Sequence, residues 1–128
     1  MDSELNKILY VEDDMDIATV CKMTLKKLGG FEVLHCDSGF LALESFAGFS
    51  PQLLLLDVMM PEMDGEETLK KIRELPGGQE VPAIFITAKA QTYEQEQYTS
   101  LKGVVGVIVK PFNSMELCAT VRDLWQKA

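Results

Sequence analysis

The chain has 128 residues, enough for one domain with a sizeable core. Apolar residues make up 47% and charged residues 25%, which excludes a disordered chain. A net charge of −8 excludes attraction to nucleic acid or to an anionic bilayer, and no apolar run nears the ~20 residues that a spanning helix needs.

The first residues, Met1-Asp2-Ser3-Glu4, are acidic, so no signal peptide is expected and the expected location is cytoplasmic. Cys21, Cys36 and Cys118 are odd in number and widely spaced. That pattern fits small buried thiols in a reducing compartment, not a disulfide framework or a zinc site.

In chain order, residues 7–11 (Lys-Ile-Leu-Tyr-Val) read as a first strand that stops at three acids, Glu12-Asp13-Asp14. Apolar residues then fall at helical spacing: Ile17, Val20, Cys21, Leu25 and Leu28. Asp14 or Asp16 is the expected N-cap and Gly29-Gly30 the stop. Residues 31–36 read as a second strand. Asp37-Ser38-Gly39 opens a second helix carrying Leu41, Ala42, Leu43 and Phe46, broken by Gly48 and Ser50-Pro51. The run Leu53-Leu54-Leu55-Leu56 ends at Asp57 and turns through Pro61 and Asp64-Gly65. An unbroken apolar run between turn residues fits a strand buried on both faces.

A third helix follows with Leu69, Ile72 and Leu75 inward, ended by Pro76-Gly77-Gly78. Residues 82–87 read as a fourth strand closing at Thr87. Residues 93–101 read as a fourth helix with a thin stripe of Tyr93, Tyr98 and Leu101, the least anchored of the set. Residues 106–109 form a fifth strand before Lys110-Pro111. Asn113 is placed to cap a last helix, with Glu116 at the capping-box position and Leu117, Val121, Leu124 and Trp125 on one face.

Five repeats of strand then helix, joined by short connections, require parallel strands with helices on both faces. Right-handed crossovers leave few topologies. The expectation is one α/β domain over residues 1–128, with a core from about residue 6 to residue 126. One of the few remaining topologies is a flavodoxin-like three-layer sandwich whose five-stranded sheet has the order 2-1-3-4-5. That order puts the first and third strands side by side at the switch point, where such folds hold ligands, so Glu12 and Asp13 converge on Asp57.

Taken alone, Asp57 is equally a turn cap; Glu12-Asp13-Asp14 has the lesser alternative of a solvated helix start favoured by the dipole. Three carboxylates brought together repel one another and call for a proton or a cation. Oxygen donors of this kind suit a hard divalent ion, Mg²⁺ foremost, with Mn²⁺ as a substitute. Thr87 and Lys110, at the ends of neighbouring strands, complete a set of groups able to hold a phosphoryl group around a nucleophilic carboxylate.

Asp13 after the first strand, Asp57 followed by Val-Met-Met-Pro-Glu-Met-Asp-Gly, Thr87-Ala88 and Lys110-Pro111-Phe112 resemble the response-regulator receiver domain of two-component signalling. The resemblance implies that Asp57 accepts the phosphoryl group, with Thr87 and Lys110 as its partners. It implies metal ligation by Asp13, Asp57 and the Met59 carbonyl, with Glu12 acting through water, and a cis Lys110–Pro111 peptide. The implied donor is a sensor histidine kinase or a phosphotransfer protein. The implied output is a conformational change read by a downstream protein or an attached domain.

The same resemblance implies a signalling module that phosphorylates and dephosphorylates only itself, without direct nucleic-acid or membrane binding, as a monomer or a weak dimer. Met59 and Lys89, two places beyond the acceptor and the Thr, would set the phosphoryl lifetime. At the position three before the Lys, many receivers carry an aromatic switch. Here it is Val107, and motion of the fourth helix with Tyr98 is the substitute expectation.

A flavin carrier of the same fold would need a phosphate cradle where the acids stand. A phosphatase of the haloacid dehalogenase type resembles Asp-x-Asp-x-Thr at its nucleophile, whereas Met59 stands at the second Asp. A receiver-like interaction module that is never phosphorylated is the alternative reading. His35 reads as packing or surface. Met60 and Met63 read as core filling with room for a partner contact.

Overall fold

The computed structural model describes residues 4–88 and 92–128. Its elements are β1 (Lys7–Val11), α1 (Met15–Lys27), β2 (Glu32–Cys36), α2 (Gly39–Phe49), β3 (Leu53–Asp57), α3 (Gly65–Arg73), β4 (Ala83–Thr87), α4 (Thr92–Thr99), β5 (Val104–Val109) and α5 (Leu117–Trp125), the last preceded by a 3₁₀ turn over Ser114–Glu116. The five strands form one parallel sheet in the order β2-β1-β3-β4-β5, as expected.

Strand residues alternate between two cores. Ile8, Tyr10, Leu53, Leu55, Ile84, Ile86 and Ile108 pack under α1 and α5 against Ala18, Cys21, Leu25, Leu117, Cys118 and Val121. Leu9, Val11, Leu54, Leu56 and Phe85 pack under α2, α3 and α4 against Ala42, Phe46, Leu69, Ile72 and Tyr98. β3 is therefore covered on both faces, and its four leucines are fully buried. Burying each contributes roughly 1.5–3 kcal/mol, so this strand is the anchor of the sheet.

Several element details differ from expectation. On α1 the inward face is Ala18, Cys21 and Leu25, while Val20 is 52% exposed. Val20 precedes Cys21 by one residue, which turns it about 100° away on a helix of 3.6 residues per turn. Leu28 is also exposed, because it is the C-cap residue and no longer follows the helical face. α2 runs through Gly48 to Phe49. It stops where Ser50 takes the left-handed conformation (φ 53°) and gives its N–H to the Phe46 carbonyl at 2.9 Å. Leu41 is exposed too.

α3 ends at Arg73, so Leu75 lies beyond it and packs only partly against the second core. Phe31 precedes β2 and is buried under the Arg122 guanidinium, 4.7 Å from the ring centroid. β5 begins at Val104, two residues earlier than Gly106. At Gly106 the missing Cβ leaves room for the end of the Leu124 side chain of α5, which would stand 2.6 Å from it. Asn113 caps the 3₁₀ turn through the Met115 N–H at 2.8 Å rather than α5 itself.

α4 ends at Thr99, leaving Leu101 in the turn that follows. Among its described side chains only Tyr98 is buried, with its ring tilted on Phe85 at 5.3 Å. Arg73 links the far end of the sheet. Its Nη1 donates to the Gly78 and Val81 carbonyls at 2.9 and 2.7 Å, and its Nη2 to the Lys102 carbonyl at 2.7 Å.

Candidate functional site

The register of the strands brings the polar strand ends onto one edge. Val11 pairs with Leu56, Asp57 with Ile86, and Thr87 with Val109. Glu12 therefore follows β1 beside Asp57, the last residue of β3. Thr87 closes β4, and Lys110 follows β5. Glu12, Asp57 and Thr87 are buried, at 1%, 2% and 0% exposure. All three lie at the carboxyl end of the sheet, the place where this topology opens a crevice.

The three consecutive acids have three different environments. Asp14 caps α1, accepting from the N–H groups of Asp16 and Ile17 at 3.0 and 3.2 Å. Glu12 turns inward, and its Oε2 accepts from the Asp14 N–H at 3.3 Å. Asp13 is exposed, yet one ligand oxygen each from Glu12, Asp13 and Asp57 lie within 4.8 Å of one another. Lys110 Nζ stands 3.4 Å from Glu12 Oε1 and 3.3 Å from Asp57 Oδ2. One ammonium group thus faces two buried carboxylates.

Burial, then the neighbouring Asp57, pushes the Glu12 carboxyl up to about 7, with Lys110 opposing. Burial works against the charged form of Lys110, but the two carboxylates outweigh it and hold its ammonium above the ordinary lysine range. Glu12 Oε1 and Asp57 Oδ1 are buried without a hydrogen-bond partner. Buried carboxylate oxygens in that condition, beside a third acid, fit a hard divalent cation.

The backbone around these groups is tied to the strand ends. The Glu12 N–H donates to Cys36 O at 3.0 Å, Val58 N–H to Ile86 O at 2.9 Å and Lys110 N–H to Thr87 O at 2.8 Å. The loop after Asp57 closes with the Gly65 N–H on Val58 O at 2.9 Å. A Cβ at Gly65 would lie 2.5 Å from the Asp57 carbonyl, so only glycine lets α3 start this close to β3. Asp64 caps α3 through the Glu67 N–H at 2.9 Å. The Lys110–Pro111 peptide is cis, as expected.

Met59 lies in this loop with an exposed side chain, while Met60 and Met63 are buried, in keeping with core filling. Lys89, expected to help set the phosphoryl lifetime, lies outside the described residues. Val107 is half-buried on the α2–α4 side of the sheet, packed against the core that holds Tyr98.

The exposed Val20 has a setting as well. With Asp16, Ile17, Lys110, Pro111 and Phe112 it lines a groove of about 590 Å³ that runs from α1 to the loop after β5 and ends at the Lys110 side of the site. All three cysteines are free and buried. Among the described residues no helix is long and apolar enough to cross a membrane.

One contact was not legible in the sequence. His35, half-buried on β2, places its Nε2 2.8 Å from the Glu12 carbonyl and its ring 5.6 Å from that of Tyr10. A lone histidine in an edge strand carries no such signal. Only the pairing of Tyr10 with His35 in the β1–β2 ladder brings it under the acids.

Comparison with known proteins agrees with this geometry. Residues 8–122 match the family model described as the response regulator receiver domain. The chain is 36% identical to the transcriptional regulatory protein CpxR of Escherichia coli (strain K12) over 124 residues, which is 97% of this chain and 51% of that protein. It is 38% identical to the transcriptional regulatory protein DltR of Streptococcus agalactiae over 116 residues, 91% of this chain and 50% of that protein. The chain thus spans about half the length of the curated relatives it matches. Among solved structures, the chemotaxis protein CheY4 of Vibrio cholerae superposes with a TM-score of 0.84 at 28% identity, covering 94% of this chain and 99% of that one.

Proposed function

This chain belongs to the response-regulator receiver domain family, and from that premise we propose that Asp57 accepts a phosphoryl group from a phosphohistidine donor and holds it as a timed signal. The observation that carries the proposal is the placement of the Lys110 ammonium within 3.4 Å of both Glu12 and Asp57, two buried acids at the end of the central strands.

An oxygen of Asp57 is the nucleophile. The donor's N–P bond breaks as the new O–P bond forms, and the electron pair leaves on the histidine ring. Lys110, paired with Asp57 beforehand, is within reach of the oxygens of the arriving group and balances their charge. Thr87, at the end of the adjacent strand, supplies a hydroxyl to the same group. Mg²⁺, or Mn²⁺ in its place, held by Asp13, Asp57 and the Met59 carbonyl with Glu12 behind them, would neutralise the surplus negative charge of the site.

The donor is a sensor histidine kinase or a phosphotransfer protein. The signal passes to a partner protein or an attached output domain. With Val107 in place of an aromatic residue, the route runs from Thr87 along β4 to Phe85 and the Tyr98 ring packed on it.

The test is incubation with a small acyl phosphate and MgCl₂, read by intact mass. One phosphoryl group should appear on the parent chain and none on Asp57→Asn. No gain on the parent would leave the chain as an interaction module without phosphorylation.

A further inference from the structure

Resting on the phosphoacceptor reading, we propose that His35 is a positioning residue for the acid cluster: its ring N–H holds the Glu12 carbonyl, and this fixes where the carboxylates of Glu12 and Asp13 stand for a divalent cation. The distance from Nε2 to the Glu12 carbonyl oxygen is 2.8 Å. A carbonyl oxygen only accepts, so Nε2 carries the hydrogen.

The β1–β2 ladder ends at the pair Val11 and Cys36. Beyond it the Glu12 N–H still reaches Cys36 O at 3.0 Å. The Glu12 carbonyl is taken up by the His35 side chain. Both peptide groups of Glu12 are thereby held by two adjacent residues of the edge strand. The second of them is the peptide plane that leads into Asp13.

This matters most for Asp13. Glu12 and Asp57 are buried and held by packing, whereas Asp13 is exposed and has no such support. Yet its carboxylate oxygen lies within 4.8 Å of theirs. Holding the Glu12–Asp13 peptide plane sets the direction in which the Asp13 side chain leaves the backbone. His35 is itself kept in place by the Tyr10 ring, whose centroid lies 5.6 Å away at a 48° tilt. Groups that orient a ligand from behind typically change metal affinity by about 10–100-fold when removed.

The experiment is a calorimetric titration of the full chain with MgCl₂ at pH 8, comparing the parent with His35→Leu and His35→Gln. His35→Leu should weaken Mg²⁺ binding by about tenfold. His35→Gln, whose amide N–H can reach the same carbonyl, should recover most of that loss. Two results overturn the proposal: His35→Leu binding as tightly as the parent, or His35→Gln binding as weakly as His35→Leu. The second would trace the loss to ring packing alone.

Ring ¹⁵N shifts of the metal-free parent keep the proposal refutable even if His35→Leu does not fold. A protonated Nε2 supports the bond, and an unprotonated one removes it. A parent that binds no Mg²⁺ is a different failure, because it overturns the phosphoacceptor reading itself.

Discussion

Glu12 sets a pH dependence that can be read without any phosphodonor. Its carboxyl has an ordinary value of 4.5 and is pushed up to about 7 in the fold, by burial and then by Asp57. Below 4.5 both the folded and the unfolded chain hold the proton, and the buried acid carries no penalty. As pH rises past 4.5 the unfolded chain releases its proton while the folded chain keeps it until about 7. Stability is therefore lost across this window and is level above it. A shift of that size corresponds to about 3 kcal/mol at full ionisation.

The perturbation is Glu12→Gln, which keeps the shape and removes the titration. The assay is urea unfolding in EDTA from pH 4.5 to 8. The parent should lose about 3 kcal/mol relative to Glu12→Gln across the range, and the two should converge at the acid end. Adding MgCl₂ should remove most of the difference, since a cation favours the ionised carboxyl. Parallel curves for parent and variant in EDTA would refute the assignment of the penalty to Glu12.

Two further outcomes follow from the geometry. Arg73→Met should destabilise the chain by about 2–3 kcal/mol in urea unfolding, because it strips donors from the Gly78, Val81 and Lys102 carbonyls; it should leave Mg²⁺ affinity unchanged. Exchanging Met59 for Asn or Lys should alter the decay of the acyl phosphate, followed by intact mass over time, while leaving phosphorylation and the unfolding midpoint in place.

How much was legible depended on the type of signal. The leucine run of β3, bounded by turn residues, fixed a strand buried on both faces. The strand–helix alternation left a few parallel topologies, and the order among them that agrees with the receiver resemblance is the observed one, which brings Glu12, Asp57 and Lys110 together. What failed was finer. Val20 and Leu28 are apolar residues near helical spacing, and spacing alone does not separate a core face from a groove wall or a cap. Gly48 did not break α2, because a glycine inside a helix costs only about 1 kcal/mol against alanine. The His35 contact depends on the residue-to-residue register of β1 with β2, and register across a sheet is not written in either strand.

The loop between Val58 and Gly65 has one foot tied to β4, by Val58 N–H on Ile86 O, and the other closed onto the first, by Gly65 N–H on Val58 O. Met59 rides between these feet with its side chain in solvent. Sequence change at Met59, unlike change at the buried Met60 and Met63, has no core to disturb and no helix to loosen. Under the function proposed above, the persistence of the signal is then free to drift over evolutionary time, from one descendant to the next, without being constrained by the requirement to stay folded.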